Sequence, residues 1–581
     1  MEQLIKLTFP IVNGFRNIPT LIQRIKRKTF KNDFVDVTST TSLETDSVTS
    51  GVTSNKKFKM VLKSVSYLGR QLYSYPLRNG GFNIAVRKLA SIAVSDLKSV
   101  SDVPSSSKIP YIGALIQHIP ALGGFDLAKM HESAEKNYYK LGPIYKEDLR
   151  ALNDPVDFAF WLSDADDIEK VYRSDGRFPV RGGFDSLGIY RKIRPDVYKA
   201  LGLLILNGKD WHTFRSKIQP VLLQPRVISN YSNSISSIAD EMINVIRQSR
   251  DEKTLEIADL GPELYRYTLE SIAFIALDKR LNCLSDYGTT QRNIVASVSE
   301  LFHLEATLNE SFLWRFINRP FGKKWKRFIQ INDEFTTMVF EFVQDKIKQL
   351  ASEPAKNAED DVSVLELFLS RPDCTPEDAV TMTMDMFYAG IDTTAHLILY
   401  TLHHLANHSN FQERVYREIM DLSNGNGNLD SDQLSNLTFL KACIKETSRL
   451  TPVVPISSRI NREPIALSGY SIPAHNYLIL NHYTVGHRPD YFSDPLSFKP
   501  DRWARESREE IKAHPFAVLP FGHGPRMCIG RRIAELETLS LLSKIIYNFK
   551  VTAKHTELPL SFKIISYPDN KMTFTFNERQ K

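Results

Sequence analysis

Hydrophobic and polar positions follow two periods along this chain, and the helical one dominates. From about residue 207 to 450 apolar positions recur at helical spacing, with a basic interruption at 319–327. Ahead of that region, 145–149 and 157–163 read as the two strands of an early hairpin, and 164–174 returns to the helical pattern. Residues 558–576 alternate again as strand. The balance predicts a mostly α fold with small β sheets. One helix is bracketed well. Thr375-Pro376-Glu377-Asp378 supplies an N-cap, a proline suited to the first turn, and acids near the positive helix end. The pattern continues past Gly390 to about Leu405, roughly 30 residues and long enough to cross a whole domain.

The N-terminal hundred residues read differently. The first 31 carry Lys6, Arg16, Arg24, Lys26, Arg27, Lys28 and Lys31 against the lone acid Glu2, with Leu4, Ile5, Leu7, Ile11, Leu21, Ile22 and Ile25 interspersed. A basic, acid-poor amphipathic start predicts a mitochondrial transit peptide over 1–35. Residues 36–55 are rich in Ser, Thr and Val without a period, which predicts linker. With the short apolar runs of 56–103 they form a leader over 36–104, and a catalytic domain is expected over 105–581. No run of 18 apolar residues occurs, so a spanning helix is not expected.

Composition narrows the class. The 581 residues are 42% hydrophobic and 24% charged, as in ordinary globular proteins, and a net charge of +7 gives no reason to expect nucleic acid. Of the four cysteines, Cys283, Cys374, Cys443 and Cys528, no two form CxxC. That argues against a zinc site or disulfide framework and suits a reducing compartment with one special thiol.

Cys528 is that thiol. Residues 521–530 read FGHGPRMCIG. Gly522, Gly524 and Gly530 predict a tight turn aiming backbone N–H groups at the sulfur, which favours a thiolate and tunes an attached metal. Arg526 suits an anionic cofactor group. Ala389-Gly390-Ile391-Asp392-Thr393-Thr394 lies midway along the long helix. A mid-helix glycine costs about 1 kcal/mol against alanine, and here it suggests close approach of a flat ligand or local opening; an acid beside a hydroxyl can relay protons into a dry pocket. Glu446 and Arg449 sit at i, i+3 on one helix face, and Arg502, in FKPDRW, is a candidate third member of a buried ion cluster. Trp211 and Arg215, at i, i+4, present two donors suited to an anionic cofactor edge. His396, His403 and His404 read as structural, the remaining cysteines as packing or surface residues, and the glycine-asparagine run at 424–428 as a flexible loop between helices.

Together these residues resemble the cytochrome P-450 family of heme-thiolate monooxygenases. The order WxxxR, AGxDTT, ExxR, FxPxRW and FxxGxRxCxG is kept over roughly 105–581. The resemblance implies the family's fold, a long central helix over heme b with a thiolate-ligand loop. Cys528 is then the metal ligand, pushing electron density toward iron. Trp211, Arg215, Arg459, His523 and Arg526 are implied propionate holders, and Phe521 packs beside the sulfur. Asp392 and Thr393 deliver protons for dioxygen activation, and Glu446, Arg449 and Arg502 are structural. Within the family the chain is similar to invertebrate members of the mitochondrial class. Lys441 and Lys445, on one face of the ExxR helix, match the lysines with which that class docks a mitochondrial ferredoxin and its NADPH-dependent reductase. The implied location is the matrix side of the inner membrane, with peripheral association. The segments 201–206, 384–388 and 453–456 are the expected apolar pocket walls. They suit a lipophilic substrate, a sterol or ecdysteroid first and a xenobiotic second. A reductant-independent heme-thiolate isomerase or dehydratase and a non-catalytic heme sensor remain as alternatives. Neither needs the acid–alcohol pair together with the basic docking face.

Overall fold

The computed structural model describes residues 97–580 apart from 108, 110–126, 151–155, 287, 310–321, 353–361 and 505–512. The expected transit peptide and nearly all of the leader lie outside the described residues, and a boundary between compact units falls between Lys98 and Ser99. Among the described residues no helix is long and apolar enough to cross a membrane.

In the unit beginning at Ser99, helices α1 (Met130–Leu141), α2 (Ala165–Ser174), α3 (Asp185–Lys192) and α4 (Gly208–Leu222) come first, with strands β1 (Ile144–Asp148) and β2 (Phe158–Leu162) between them. The helical body follows: α5 (Ser232–Ser249), strand β3 (Glu256–Ile257), α6 (Gly261–Leu277), α7 (Thr289–Asn309), α8 (Gly322–Ser352), α9 (Pro376–Asn407), α10 (Ser409–Leu422) and α11 (Thr438–Leu450). Strands β4 (Ile456–Ile460) and β5 (Tyr477–Asn481), helix α12 (Arg531–Asn548) and strands β6 (Phe549–Ala553), β7 (Leu560–Lys563), β8 (Ile565–Pro568) and β9 (Phe574–Glu578) complete it. The mostly α fold with small sheets is as expected. The predicted hairpin is β1 and β2, paired antiparallel with Ile144 opposite Leu162. Strand β2 pairs parallel with β5 on its other edge, giving the order β1-β2-β5-β4. Its unbroken run Phe-Ala-Phe-Trp-Leu reflects burial on both faces.

Helix α9 runs through the interior. Thr375 accepts from the Asp378 N–H at 3.1 Å, Asp378 accepts from the Thr375 N–H at 3.1 Å, and Pro376 opens the first turn. This capping box fixes the start of a 32-residue helix. Between Asp378 and Ala406 every position is buried except Ala389, Gly390, Thr393 and His404. The first three share one face at i, i+1 and i+4.

One expectation is corrected. The basic stretch at 319–327 does not interrupt helix over its described part, 322–327. Lys323, Lys324, Lys326 and Arg327 lie in the first turns of α8, exposed, while Trp325 stacks on Phe328 at 5.5 Å on the inner side. Clustered charge on one solvated face is compatible with an amphipathic helix. The 424–428 run is a loop between helices as expected, exposed except at Gly427, which anchors it: at φ +73° it leaves only 2.4 Å between an added Cβ and the Tyr547 ring, and Tyr547 OH donates to Gly425 O at 3.2 Å.

Candidate active site

The exposed face of α9 opens onto a cavity of about 360 Å3. Ala389, Gly390 and Thr393 form one side, and Phe521, Arg526, Cys528 and Gly530 another. The turn that carries Cys528 follows from its glycines. Gly522 and Gly524 take φ +70° and +77°, and Cys528 N–H donates to Phe521 O at 2.9 Å, closing the loop behind the sulfur. Gly530 is different: its φ of −83° is open to any residue, and it stands as the N-cap of α12. Cys528 is exposed only toward the cavity, enclosed by protein elsewhere. Burial pushes its thiol above the ordinary value, opposed by the Gly530 N–H and by the Arg215 and Arg181 guanidiniums.

Five arginines line the cavity: Arg181, Arg215, Arg449, Arg459 and Arg526. Two are neutralised within the protein, Arg449 by Glu446 and Arg459 by Asp175, to which its Nε donates at 2.7 Å. Among the described residues the other three have no carboxylate partner. Arg215 donates to Met527 O at 3.1 Å, and Arg526 donates to Leu206 O and to Asn207 Oδ1, the latter at 2.9 Å. Arg526 Nε and Nη1 and Arg181 Nε are buried with no hydrogen-bond partner. Burial, then repulsion from Arg181 and Arg459, pushes Arg526 down to about 8. Burial, then Arg459, pushes Arg181 down to about 10, and burial pushes Arg215 to about 10. Such a concentration of unpaired guanidinium in an apolar cleft fits a dianionic group that spares donors could grip. Trp211 lines the same edge, with Arg526 4.8 Å from its ring centre. The site therefore fits a planar heme with paired carboxylates at the arginines and a sulfur ligand at Cys528.

Not every expected residue reaches the cavity. His523 does not line it: between the positive-φ glycines its ring turns to Phe516, at 4.7 Å, and Tyr172, at 6.1 Å. Thr393 lines the cavity, its hydroxyl donating to Ala389 O at 2.7 Å, but Asp392 does not. One step along a helix turns the side chain by about 100°. Asp392 Oδ2 instead accepts from Tyr567 OH at 2.6 Å and Ser299 Oγ at 2.9 Å, while Oδ1 is buried and unpartnered. Burial pushes its carboxyl up to about 6, the two hydrogen bonds acting against it. Gly390 does not open α9; it lines the cavity, and an added Cβ would lie 3.1 Å from Ile272 Cδ1, so it also serves the close packing of α6 on α9. Of the expected pocket walls, Leu203, Leu204, Met386, Val453 and Val454 line the cavity, and so does Asp385, a carboxylate within the segment expected to be apolar. Tyr388 packs away against Phe302 and Phe335. His396, His403 and His404 are held by burial well below the usual imidazole range.

Two cavity residues had no signal in the sequence. Arg181 sits in a loop before α3. His482, directly after β5, bonds Tyr172 OH and Ser457 Oγ through Nε2, both at 3.1 Å, and leaves Nδ1 buried without a partner.

Behind the site the buried ion cluster is complete. Glu446 accepts from Arg449 Nε and Nη2 at 2.9 and 2.8 Å and from Arg502 Nε at 3.1 Å. Trp503 Nε1 and the Lys499 N–H fill its remaining lone pairs, at 3.0 and 2.9 Å. Lys441 and Lys445 project from the exposed face of α11, the latter 3.9 Å above the Trp503 ring centre.

A sequence model of the cytochrome P-450 family matches residues 104–576. Cytochrome P-450 CYP12A2 of Musca domestica is 31% identical over 76% of this chain and 83% of its own. The mitochondrial sterol 26-hydroxylase of Rattus norvegicus is 28% identical over 83% and 90%. The mitochondrial 25-hydroxyvitamin D-1 alpha hydroxylase of Mus musculus is 29% identical over 84% and 94%. The chain belongs to the cytochrome P-450 family. It is a heme-thiolate monooxygenase of the mitochondrial class, with heme iron as its cofactor.

Proposed function

We propose that this chain inserts one oxygen atom of dioxygen into a lipophilic substrate inside the mitochondrion, on the matrix side of the inner membrane, over residues 105–581. The observation that carries this reading is a single cavity lined both by the one cavity-facing cysteine, Cys528, and by the helical hydroxyl Thr393. Heme b, held at Cys528 with its carboxylates at Arg181, Arg215 and Arg526, supplies dioxygen activation when bound. Trp211, Phe521 and Arg459 complete its surround.

The chain's own residues orient and protonate. Thr393 presents an oxygen to the cavity while its hydrogen is engaged by Ala389 O. Asp392, one residue back and with its carboxyl raised to about 6, holds and releases a proton away from the substrate, and Tyr567 and Ser299 set its orientation. Leu203, Leu204, Met386, Val453 and Val454 exclude water and select an apolar molecule.

A sterol or ecdysteroid is the first substrate class, supported by the hydroxylase names among the relatives; lipophilic xenobiotics come second. Electrons arrive from a mitochondrial ferredoxin, served by its NADPH-dependent reductase, at the exposed Lys441 and Lys445 face. The test is coupling. With ferredoxin and limiting reductant, Thr393→Ala is expected to consume reductant at near-normal rate while product per reductant falls. Unchanged coupling rejects the assigned role of Thr393.

A further inference from the structure

The apolar wall over the cavity is held by an ion pair that carries no role in the chemistry above. Leu203 and Leu204 line the cavity, as do Met382, Asp385 and Met386 of α9. Arg191, near the C-terminal end of α3, meets Asp385 with both side chains only 2% exposed. Arg191 Nη2 donates to Asp385 Oδ1 at 2.6 Å, and its Nη1 donates to Leu201 O at 2.7 Å. Asp385 Oδ2 accepts the Leu203 N–H at 3.0 Å. Leu201 and Leu203 are therefore both tied to one ion pair through their backbone.

Gly202 lies between the two attachment points. Its φ is +81°, and an added Cβ would come within 2.4 Å of Asp385 Oδ2 and 2.6 Å of Arg191 Nη1. The segment is drawn onto the pair as closely as a chain can be, which only glycine allows. Helix α9, buried on nearly every side, is the fixed partner. The other end of the segment is tied as well, Leu206 O and Asn207 Oδ1 accepting from Arg526. Stability is a poor reason for such a pair, because apolar replacements of buried ion pairs are commonly as stable or more so. Geometry is the better reason.

We propose that Arg191 and Asp385 are positioning residues for substrate specificity: their pair clamps the Leu203–Leu204 wall against α9 and sets the shape of the chamber above the heme. The proposal rests on the monooxygenase reading for the identity of the chamber. The clamp makes its bonds to the wall's backbone, so it acts on any substrate that reaches the wall and on none that stays clear of it.

The test uses the holoenzyme and two azole probes read by the Soret shift of the ferric heme. Imidazole is small enough to bind without touching the wall; clotrimazole is bulky enough to need it. The variants are the double Arg191→Met/Asp385→Leu, which leaves no lone buried charge, and Gly202→Ala, which keeps both charges and pushes the segment off them. Each is expected to weaken clotrimazole about tenfold, the scale of a lost apolar contact, while imidazole stays within about twofold. Parallel changes for both probes, or an unchanged clotrimazole affinity in both variants, overturn the proposal. If the double variant does not assemble with heme, Gly202→Ala decides alone. If neither assembles, the pair serves folding and the proposal fails. A normal imidazole shift throughout shows that the heme site stands whatever happens to the clamp.

Discussion

Asp392→Asn removes a carboxyl that the fold makes costly to ionise. Asp392 is fully buried, accepts two hydroxyl hydrogen bonds through one oxygen and leaves the other unpaired. Its carboxyl rises from an ordinary 3.8 to about 6. An acid with a raised folded value favours the protonated fold. Its contribution is complete below the unfolded value and is lost as pH climbs through the folded one. A rise of about two units corresponds to about 3 kcal/mol at full ionisation, of which about 1.4 kcal/mol falls between about pH 5 and about pH 8. Asparagine keeps the shape and an acceptor for Tyr567 but cannot ionise. The Asn variant is thus expected to gain about 1.4 kcal/mol on the native protein across that range. Urea unfolding of both holoproteins, followed by far-ultraviolet circular dichroism at each pH unit, measures the difference. A gap that does not change with pH, or that moves toward the native protein as pH rises, refutes the assignment of a buried, high-pKa acid at this position.

Arg526→Leu should act in opposite directions on the two forms. The apoprotein gains stability, because a guanidinium held down to about 8 by burial and by Arg181 and Arg459 is gone. Heme retention weakens by about 1.5–3 kcal/mol, read as the Soret-to-protein ratio during dilution. Gly427→Ala forces a Cβ onto the Tyr547 ring from a left-handed backbone and should cost about 1–3 kcal/mol in chemical denaturation. Glu446→Gln leaves Arg449 and Arg502 buried without an anion, a loss of about 3–5 kcal/mol that should show as little or no folded holoprotein on expression. Lys441→Glu with Lys445→Glu should raise the ferredoxin concentration needed for half-maximal heme reduction, more so at low salt, while leaving azole binding unchanged.

What was legible in the sequence was local. The cap of α9 is written in four consecutive residues, the Cys528 turn in ten, and the Glu446–Arg449 pair in one helical turn. Arg502 was found because the FxPxRW run carries it to the same cluster. What was not legible depends on partners far along the chain. Asp392 is oriented by Ser299 and Tyr567, 93 and 175 positions away, so its turn from the cavity had no local trace. Gly390 both lines the cavity and packs on Ile272 of another helix, and a glycine alone does not show the second role. Arg181 reaches the cavity from a loop ahead of α3 and His482 from the start of the short helix His482–Gly486 that follows β5, and no spacing rule marks either. His523 sits in the most informative motif of the chain, yet its direction depends on the backbone angles of its glycine neighbours.

The central claim is that Cys528 supplies a thiolate to the heme iron. The carbon-monoxide spectrum of the dithionite-reduced holoprotein, native and Cys528→His, tests it most directly. The native protein should give the strongly red-shifted Soret band of a thiolate-ligated heme, and the histidine variant should lose that shift even where it keeps heme. A native spectrum with the shorter-wavelength band of an imidazole ligand, or a variant that retains the red-shifted band, contradicts the account.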